Sequence, residues 1–414
     1  MASLVTGIGY IGSRLVELLL DRGETVIGLD NLFSTDREAI RRLEDRPGFT
    51  FLEGDVADEG AVRRAFTAGQ RVDTVYHLAA QSSSSPAAAS VGYSERANLV
   101  GPRVVLEQAC AAGVSTFIFG GSIQVYGRHA TGVVDESHPY GPILDISHLS
   151  KLYVEKLMEM FSISRGLRCI SARLALVYGV SPVTKSDPVF MTAPNKFCLQ
   201  VARGEPIRVN SSAFNPTSMI HVDDAARGLL TLAQWPRPGY SPVNLLGETA
   251  SVTQVARLVQ EIASHRGMVV TLECPEGVPP REPLPEFRSA MAEIGFQPQR
   301  SLQRDLPAVL DHFLTSTQHS APSTQHSARI CHEPWQTFYV RDDGRVNTCC
   351  YSNRIMGDVR EQAALEIWNG GIYRRFRARM RSANKPSECQ VCHVLRGDDS
   401  YDQRIDDEGF YDEL

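Results

Sequence analysis

The chain has 414 residues, a formal net charge of −6, 43% hydrophobic residues and 22% charged residues. Its length exceeds what one ordinary hydrophobic core holds, so two or three domains are expected. The longest apolar runs, such as Leu15 to Leu20, are too short to cross a bilayer, and the acidic balance makes nucleic acid a poor partner. We therefore expect a cytoplasmic protein that neither spans a membrane nor binds nucleic acid.

Strand-like and helix-like runs alternate from the start of the chain. The runs expected to be buried strands read LVT, TVIGLD, FTFLEGD, TVYHLAA, STFIFGG and LRCISARLALVYG. Helical patterns lie between them, for example from Ser13 to Arg22 and from Pro102 to Ala112. This alternation predicts an α/β fold with a doubly wound parallel sheet of the Rossmann type.

The pattern becomes shorter from about Val180 onward. Brief strand-like runs (IRV, MIHV, PVNLL and MVVTLE) are mixed with helical patterns at residues 223–234 and 251–265. Such elements predict a smaller substrate lobe, mainly residues 180–312, over the carboxyl edge of the sheet.

A glycine-rich sequence follows the first predicted strand and opens the first predicted helix. It contains Gly7, Gly9 and Gly12, with Tyr10 and Ile11 between the last two. Glycines let the backbone approach a pyrophosphate, and the N–H groups of a helix N-terminus bind it.

Asp30 closes the second predicted strand, eighteen residues after Gly12. A carboxylate at this position accepts hydrogen bonds from the ribose hydroxyls of adenosine and repels a 2′-phosphate. The glycine-rich sequence and Asp30 together predict a site for NAD rather than NADP.

With further motifs, residues 1 to about 312 resemble the NAD-dependent epimerase/dehydratase family of extended short-chain dehydrogenases. The motifs are VTGIGYIGS, LDN, GDVAD, HLAA, NLVGP, FGGSIQVYG, SK, RLALVYG and IHVDDAA. The resemblance implies a nucleotide-linked sugar as substrate, with a non-nucleotide sugar or cyclitol as the alternative. It implies further cofactor contacts from Asn31, Asp55, Val56, Leu78, Ala79, Ala80 and Asn98. The glycine loop is one residue shorter than the Thr-Gly-x-x-Gly-x-x-Gly of the family.

The same resemblance places a Ser, a Tyr and a Lys around the nicotinamide. Ser122 and Lys151 occupy the Ser and Lys positions, whereas Ser147 occupies the Tyr position, one helical turn before Lys151. In the family, the Tyr takes a proton from a sugar hydroxyl while hydride leaves to NAD. The Lys, here Lys151, lowers the Tyr pKa from its reference of about 10 and holds the nicotinamide ribose of the cofactor. A serine hydroxyl is much harder to deprotonate than a phenol.

Three explanations remain open for this change. Ser147 could act directly, another group such as Tyr140 or His148 could reach in, or the domain could bind its ligands without redox turnover. Both stand-ins also have structural explanations, because Tyr140 lies in a Pro-Tyr-Gly-Pro turn and His148 lies about 100° around the helix from Ser147.

The substrate lobe departs from the family as well. Leu176 occupies the position of an Asn, and Thr217 occupies the position of an Arg that commonly meets the nucleotide diphosphate. Arg281 is a candidate for one phosphate contact, or else a surface arginine.

A repeat of polar and small residues, STQHSAPSTQHSA, separates this region from the rest of the chain. It predicts a flexible linker over residues 316–329, after a first domain of residues 1–315. A small cysteine-rich domain over residues 330–397 and an acidic tail over residues 398–414 follow.

Cysteine pairs in the last domain predict a metal site. Cys331 and Cys349 flank a turn at Asp343-Gly344, and Cys389 and Cys392 form a Cys-x-x-Cys pair. Four thiolates suit zinc or an iron–sulfur cluster.

The surrounding sequence resembles the SPASM/twitch domain that ends many radical-SAM enzymes. The resemblance implies a [4Fe-4S] cluster on Cys331, Cys349, Cys389 and Cys392, with Cys350 as a spare and zinc as the alternative metal. No Cys-x-x-x-Cys-x-x-Cys motif is present, so the chain should not cleave S-adenosylmethionine alone.

Two functional hypotheses follow. The first is an NAD-dependent sugar epimerase, dehydratase or oxidoreductase with an accessory cluster domain, as a homodimer of the kind usual among relatives. The second is a binding module that docks to, or passes electrons to, a partner enzyme such as a radical-SAM protein.

Overall fold

The structure, a computed structural model, describes residues 2–83, 88–127, 130–143, 145–185, 187–209, 215–274, 282–319, 338–341, 343–349, 354–380, 386 and 389. The chain divides into two units, Met1–His319 and Ser320–Leu414.

The strands of the described residues are β1 (Ala2–Thr6), β2 (Thr25–Asp30), β3 (Phe49–Glu53), β4 (Val72–His77), β5 (Thr116–Ser122), β6 (Gly132–Val134), β7 (Arg168–Leu174), β8 (Leu176–Tyr178), β9 (Ile207–Arg208), β10 (Pro216–His221), β11 (Tyr240–Leu245), β12 (Glu248–Ser251), β13 (Leu272–Glu273), β14 (Pro285–Phe287), β15 (Tyr339–Val340), β16 (Arg345–Asn347) and β17 (Ile355–Asp358).

The α-helices of the same residues are α1 (Tyr10–Asp21), α2 (Arg37–Glu44), α3 (Glu59–Thr67), α4 (Val91–Glu95), α5 (Gly101–Ala111), α6 (Ile146–Arg165), α7 (Ala193–Ala202), α8 (Val222–Gln234), α9 (Val252–Ser264), α10 (Leu302–His319), α11 (Ala364–Trp368) and α12 (Gly371–Met380). A π-helical turn, Arg96–Val100, joins α4 to α5, and short 3₁₀ turns cover Ile123–Tyr126, Pro188–Phe190 and Ala290–Ile294.

A parallel sheet with the order β11-β7-β5-β4-β1-β2-β3 forms the centre of the first unit. Its residues alternate between two cores, so that Leu4 packs into one hydrophobic cluster and Val5 into the cluster on the opposite face. The strand order reverses between β1 and β4, which is where an open α/β sheet opens a crevice for ligands. The predicted Rossmann fold is confirmed.

Helix α6 carries two of the predicted catalytic positions and has clear end signals. The Asp145 side chain accepts a hydrogen bond from the His148 N–H at the start of the helix. Gly166, in the left-handed conformation, ends it. Buried Val154 and Met158 then fix this helix on the core.

A smaller lobe contains the sheet β12-β10-β8, the pair β13-β9 and a third core under α7, α9 and α10. The antiparallel sheet β15-β16-β17, with α11 and α12, forms the described part of the second unit around Val346, Met356 and Tyr373. No helix among the described residues has both the length and the apolar character needed to span a membrane. The expected cytoplasmic location stays a prediction.

Four element predictions need correction. The run PVNLL, expected in the small lobe, belongs to β11 and adds a seventh strand to the main sheet. The run from Leu167 to Gly179 is two strands, because the chain leaves the main sheet at Ala175 and enters the small sheet. Strand β3 is an edge strand without a fully buried residue. The segment MVVTLE contributes only Leu272–Glu273 as strand.

The boundary between the units also differs from the prediction. Helix α10 continues to His319, so residues 316–319 are helical rather than linker. The Ser316 and Thr317 hydroxyls donate to the backbone of the preceding turn, which lets these polar residues end a helix. Residues 320–329 lie outside the described residues, as do Arg281 and the acidic tail.

Candidate active site

The glycine loop after β1 has two glycines that its own packing requires and one that faces open space. A Cβ atom on Gly7, which has a φ of +79°, would lie 2.4 Å from the Ala79 N atom. A Cβ atom on Gly12 would lie 1.9 Å from the Gly7 O atom. A Cβ atom on Gly9 would meet only Thr35 Oγ1, at 3.6 Å. The space above Gly9, at the start of α1, is therefore shaped for a group that approaches the backbone closely.

Asp30 lies at the end of β2 beside this loop and is almost fully buried. Its Oδ2 accepts hydrogen bonds from Ile8 N at 2.7 Å and Thr35 Oγ1 at 3.2 Å, and its Oδ1 accepts one from Leu32 N at 2.7 Å. Burial raises the pKa of Asp30, and these hydrogen bonds oppose that rise. A carboxylate has about four acceptor positions, so one remains for a ribose hydroxyl.

The adjacent Asn31 points toward an aromatic pair. Its Nδ2 donates to the Tyr93 hydroxyl at 3.1 Å, and the Tyr93 ring stacks on Phe33 with centroids 4.1 Å apart. Asp55, after β3, forms an ion pair with Arg96 at 3.2 Å. Direct cofactor contacts of Asn31 and Asp55 stay predictions.

Val56, beside Asp55, is buried against α5. A Cβ atom on Gly101 would lie 2.6 Å from Val56 Cγ2, so the Val56 side chain packs inward and only its backbone is available to an adenine.

The loop after β4 is held by residues from two other segments. Leu78 N donates to Thr6 O at 2.9 Å, and Ala79 and Ala80 remain partly accessible beside Gly7. Asn98, in the π-helical turn, donates to and accepts from the Gln81 backbone, both at 2.8 Å. Asn98 therefore positions this loop, and its direct contact with a cofactor stays a prediction.

The three predicted catalytic positions meet the carboxyl edge of β4 and β5. Ser122 ends β5, and its Oγ accepts a hydrogen bond from Gln124 N at 3.2 Å. Lys151 Nζ donates to Gly120 O of the same strand at 2.7 Å. Buried Ser147 donates from Oγ to Gln81 O at 3.4 Å.

Shielding from solvent disfavours the charge of Lys151, and an aromatic ring offsets part of that cost. The Lys151 ammonium lies 4.7 Å above the Phe119 ring centroid. Burial lowers the pKa of Lys151 to about 8. Burial, together with the charge of Lys151, lowers the pKa of the neighbouring His77 to about 3, so His77 is neutral. Lys151 is the cation of this part of the cleft.

Each group suggested as a replacement for the missing Tyr has a partner. The Tyr140 hydroxyl donates to Glu155 Oε2 at 2.9 Å and accepts from Arg173, and burial raises the pKa of Tyr140 to about 12. His148 Nδ1 lies 2.6 Å from Asp145 Oδ2. Tyr140 therefore belongs to a buried network, whereas His148 belongs to the start of α6.

A buried ion pair fixes α6 on the sheet. Arg173 of β7 donates to both Glu155 oxygens, at 2.9 and 2.8 Å, and both side chains are fully buried. Ser171 Oγ also donates to Glu155 at 2.8 Å. Glu155 is one helical turn after Lys151, so this pair sets the position of the catalytic end of the helix.

Two residues of the cleft were not predicted from the sequence. Gln81 is buried, and its side-chain Oε1 has no hydrogen-bond partner among the described residues. Lys185, on the segment after β8, donates to Ser82 Oγ at 3.4 Å. No motif marks either residue, because both act through contacts between distant segments.

The two departures in the substrate lobe lie in its small sheet. Leu176 of β8 pairs with Met219 of β10, and Thr217 of β10 pairs with Ala250 of β12. Neither side chain can supply the charge or the amide that the family has at these positions.

The structure describes only part of the predicted metal site. Cys349 follows β16, and Cys389 packs against the core of the second unit, whereas Cys331, Cys350 and Cys392 lie outside the described residues. The predicted turn at Asp343-Gly344 is confirmed, since Gly344 has a φ of +81° between β15 and β16. No group of three potential metal ligands occurs among the described residues.

Family comparisons cover both units. Residues 3–245, more than half of the chain, match the NAD dependent epimerase/dehydratase family. Residues 331–393 match the SPASM family, an iron-sulfur cluster-binding domain, and this range contains all four predicted ligands.

Individual relatives agree with the first match. A UDP-glucose 4-epimerase of Erwinia amylovora is 39% identical over 172 residues, which are 39% of this chain and 49% of the relative. This chain thus spans about half the length of that relative.

Solved structures extend the likeness to the whole first unit. UDP-glucose 4-epimerase of Thermotoga maritima with UDP-glucose has a TM-score of 0.65 and 27% identity, covering 77% of this chain and 100% of that one. The UDP-glucose 4-epimerase of Thermus thermophilus in complex with NAD has a TM-score of 0.63 and 27% identity, covering 76% and 99%.

Proposed function

Because the chain belongs to the NAD-dependent epimerase/dehydratase family, we propose that its first unit is an NAD-dependent enzyme acting on a nucleotide-linked sugar. The supporting observation is that the glycine loop, Asp30 and Lys151 meet the carboxyl edge of one parallel sheet. The reaction is an epimerisation, an elimination or an oxidation of that sugar.

Each residue has a role that its contacts support. The backbone at Gly9 and the first N–H groups of α1 bind the cofactor diphosphate, and Asp30 accepts from the adenosine ribose. Lys151 leaves its bond to Gly120 and orients the nicotinamide ribose, while Ser122 donates to the reacting sugar hydroxyl. When bound, NAD supplies the hydride acceptor.

The proton acceptor differs from that of the family. A Tyr140 hydroxyl with a pKa raised to about 12 by burial, and bonded to Glu155, is a poor base near neutral pH. His148 has a carboxylate partner in Asp145, which orients an imidazole for proton transfer. His148 is therefore the better of the two stand-ins.

Heat denaturation of the purified full chain should release NAD, and the protein should convert one of a panel of UDP- and dTDP-linked hexoses. Lys151→Ala and Ser122→Ala should abolish that turnover, whereas Lys156→Ala, on an exposed turn of the same helix, should not. Turnover that is indifferent to both site variants would remove the assignment.

The Ser147→Tyr variant, which restores the phenol of the family, tests whether the parent chain is an enzyme or a binding module. If the parent chain turns over a sugar nucleotide, Ser147→Tyr should change that rate, and His148→Gln should lower it by tenfold or more, as removal of a general base does (about 10²–10⁴-fold). If only Ser147→Tyr has activity, the parent is a binding protein, which is the second candidate function. Buried Ser147 supports that candidate because it offers no acid or base of its own.

For the second unit we propose an iron–sulfur cluster held by Cys331, Cys349, Cys389 and Cys392. The match of residues 331–393 to an iron-sulfur cluster-binding domain supports this choice over zinc. We propose that a cluster here passes electrons to, or docks, a partner enzyme such as a radical-SAM protein.

Anaerobic purification followed by an absorption spectrum and iron, sulfide and zinc analysis tests this site. About four iron and four sulfide per chain are expected for a [4Fe-4S] cluster. Cys349→Ala and Cys389→Ala should each lower the iron content, whereas Cys274→Ala, in the first unit, should not. Zinc at one equivalent without sulfide would contradict the cluster.

A further inference from the structure

The segment that leaves β8 contacts three loops at the carboxyl edge of the main sheet. We call residues 179–185 and 187–190, between β8 and α7, the cleft-covering segment. Its first part is tied to the start of α1: the Tyr10 hydroxyl donates to Gly179 O at 2.7 Å, and Ser181 Oγ donates to Tyr10 O at 2.5 Å. The Ser181 hydroxyl also lies 3.0 Å from that of Ser13. The segment therefore begins directly beside the glycine loop.

Its second part is tied to the loop after β4. Ser83 Oγ donates to Val189 O at 2.7 Å, and Lys185 Nζ donates to Ser82 Oγ at 3.4 Å. These serines follow Leu78 to Ala80, the stretch expected beneath the cofactor. The segment thus reaches the nicotinamide side of the predicted site.

The end of the segment touches the loop after β2. The Phe190 ring meets the Phe33 ring edge-on with centroids 6.3 Å apart. Phe33 lies three residues after Asp30, on the adenosine side. Because β1 lies between β4 and β2 in the sheet, a segment tied at all three loops spans the part of the sheet edge that carries the glycine loop.

Lys185 is the cation of this segment. It is partly buried, and no carboxylate among the described residues lies within ion-pair distance of it. Its ammonium lies 5.9 Å from the Phe190 ring centroid. Burial lowers the pKa of Lys185 to about 8, so the amine is still protonated near neutral pH. An anion entering the cleft would relieve the desolvation of this charge.

The glycine loop leaves such an anion incompletely bound. It is one residue shorter than the loop of the family, and Ile8 N, one of its amides, already donates to Asp30. Fewer backbone donors then face a diphosphate than in a longer loop. A cation on the cleft-covering segment would supply a donor in place of the missing backbone amide.

We propose that Lys185 binds a diphosphate held between the glycine loop and the cleft-covering segment. This inference rests on the proposed function, since it needs a dinucleotide or a nucleotide-sugar in the cleft. Both ligands carry a diphosphate, and the two sources are distinguished by which ligand depends on Lys185.

Calorimetric titration of the full-length protein, freed of nucleotide, tests this role. Lys185→Met should weaken binding of NAD and ADP-ribose, or of UDP, by about tenfold or more, the usual effect of losing a charge-assisted hydrogen bond. Adenosine and uridine, which have no phosphate, should bind as they do to the parent. Lys185→Arg should retain most of the affinity, and the exposed Lys156→Met serves as the control.

The outcomes distinguish the role of Lys185 from the proposed function. Loss confined to NAD and ADP-ribose assigns Lys185 to the cofactor diphosphate, and loss confined to UDP assigns it to the substrate diphosphate. Equal affinities of the parent and Lys185→Met for all these ligands overturn the role of Lys185 and leave the proposed function intact. Failure of the parent to bind NAD, ADP-ribose and UDP overturns both.

Discussion

At the scale of single residues, substitutions in the glycine loop distinguish glycines needed for packing from the glycine expected to face the cofactor. Gly9→Ala adds a Cβ atom into open space, but the φ of −73° with a ψ of −148° is unfavourable for alanine, so the free energy of unfolding should fall by about 1–2 kcal/mol. The same methyl group occupies the approach of a diphosphate, so NAD affinity should fall by at least tenfold. Differential scanning calorimetry and NAD titration measure the two effects.

Gly7→Ala is the matched comparison. Its φ of +79° and the 2.4 Å approach to Ala79 N make the new side chain strained and crowded, so stability itself should fall by several kcal/mol, about 1–3 of them from backbone strain. If Gly9→Ala binds NAD as tightly as the parent, the diphosphate does not lie above Gly9.

Lys151 is expected to lower the free energy of unfolding of the protein while being required for turnover. Its pKa of about 8 lies below the ordinary value of 10.5, so its burial destabilises the folded chain wherever the amine is protonated. Lys151→Met should therefore raise the free energy of unfolding of the nucleotide-free protein, by about 1–2 kcal/mol at pH 7. The gain should shrink as the pH rises from 8 toward 10.5, because the unfolded and folded amines then share the neutral form.

Urea titrations at pH 7 and pH 9.5 measure this gain, and the same variant should lose turnover. Lys156→Met, exposed and paired with Glu159, should show neither effect. A Lys151→Met variant that is destabilised at pH 7 would contradict the desolvation argument.

At the scale of elements, the position of α6 depends on its contact with β7. Glu155→Ala leaves Arg173 charged and buried without its carboxylate, so the free energy of unfolding should fall by about 3–5 kcal/mol. Thermal unfolding of the purified variant measures the loss. Glu159→Ala, one turn further along the same helix, breaks only an exposed pair and should change stability by less than about 1 kcal/mol. Equal effects of the two variants would show that the buried pair does not fix the helix.

Much of the main sheet could be predicted because its strands are short apolar runs bounded by turns. Strand β2 coincides with its predicted run, and β1, β4 and β5 overlap theirs but are shifted or extended by one or more residues. Strand β11 was misplaced because it follows four elements of the small lobe, and only tertiary pairing with β7 returns it to the main sheet. The change from β7 to β8 at Ala175 could not be predicted from hydrophobicity, because Leu174 and Leu176 on either side are both apolar.

The candidate site was predictable only as far as motifs reach. Gly7, Asp30 and Lys151 stand at fixed distances from predicted elements, so the sequence reveals them. Lys185 donates to Ser82 across 103 residues of chain, and the Gln81 backbone accepts from Ser147 across 66, and no local pattern encodes such contacts. The chain is poor in lysine, with Lys151, Lys156, Lys185, Lys196 and Lys385, and that scarcity was the one available signal for Lys185.

At the scale of the whole molecule, the first unit leaves an apolar stripe on its surface. Leu149, Tyr153, Met160 and Ile163 of α6 are 49%, 39%, 53% and 82% exposed. Their spacings of four, seven and three residues place them on one face of the helix. Large apolar side chains in such a row on a surface are typical of a protein interface. If the chain forms the expected homodimer, this stripe of α6 is the surface that we expect to pair. The oligomeric state itself stays a prediction.

Replacing the most exposed member of the stripe tests the dimer. Two copies of α6 that pack face to face would bury Ile163 and Met160, so Ile163→Glu would place two charges in that contact without touching the core of either copy. Sedimentation velocity at several concentrations should find the parent as a dimer and Ile163→Glu shifted toward monomer, with association weakened by tenfold or more. Val269→Glu, at a fully exposed position outside α6, is the control and should sediment as the parent does. A parent that remains monomeric at all concentrations would exclude this interface and leave the stripe to a different partner.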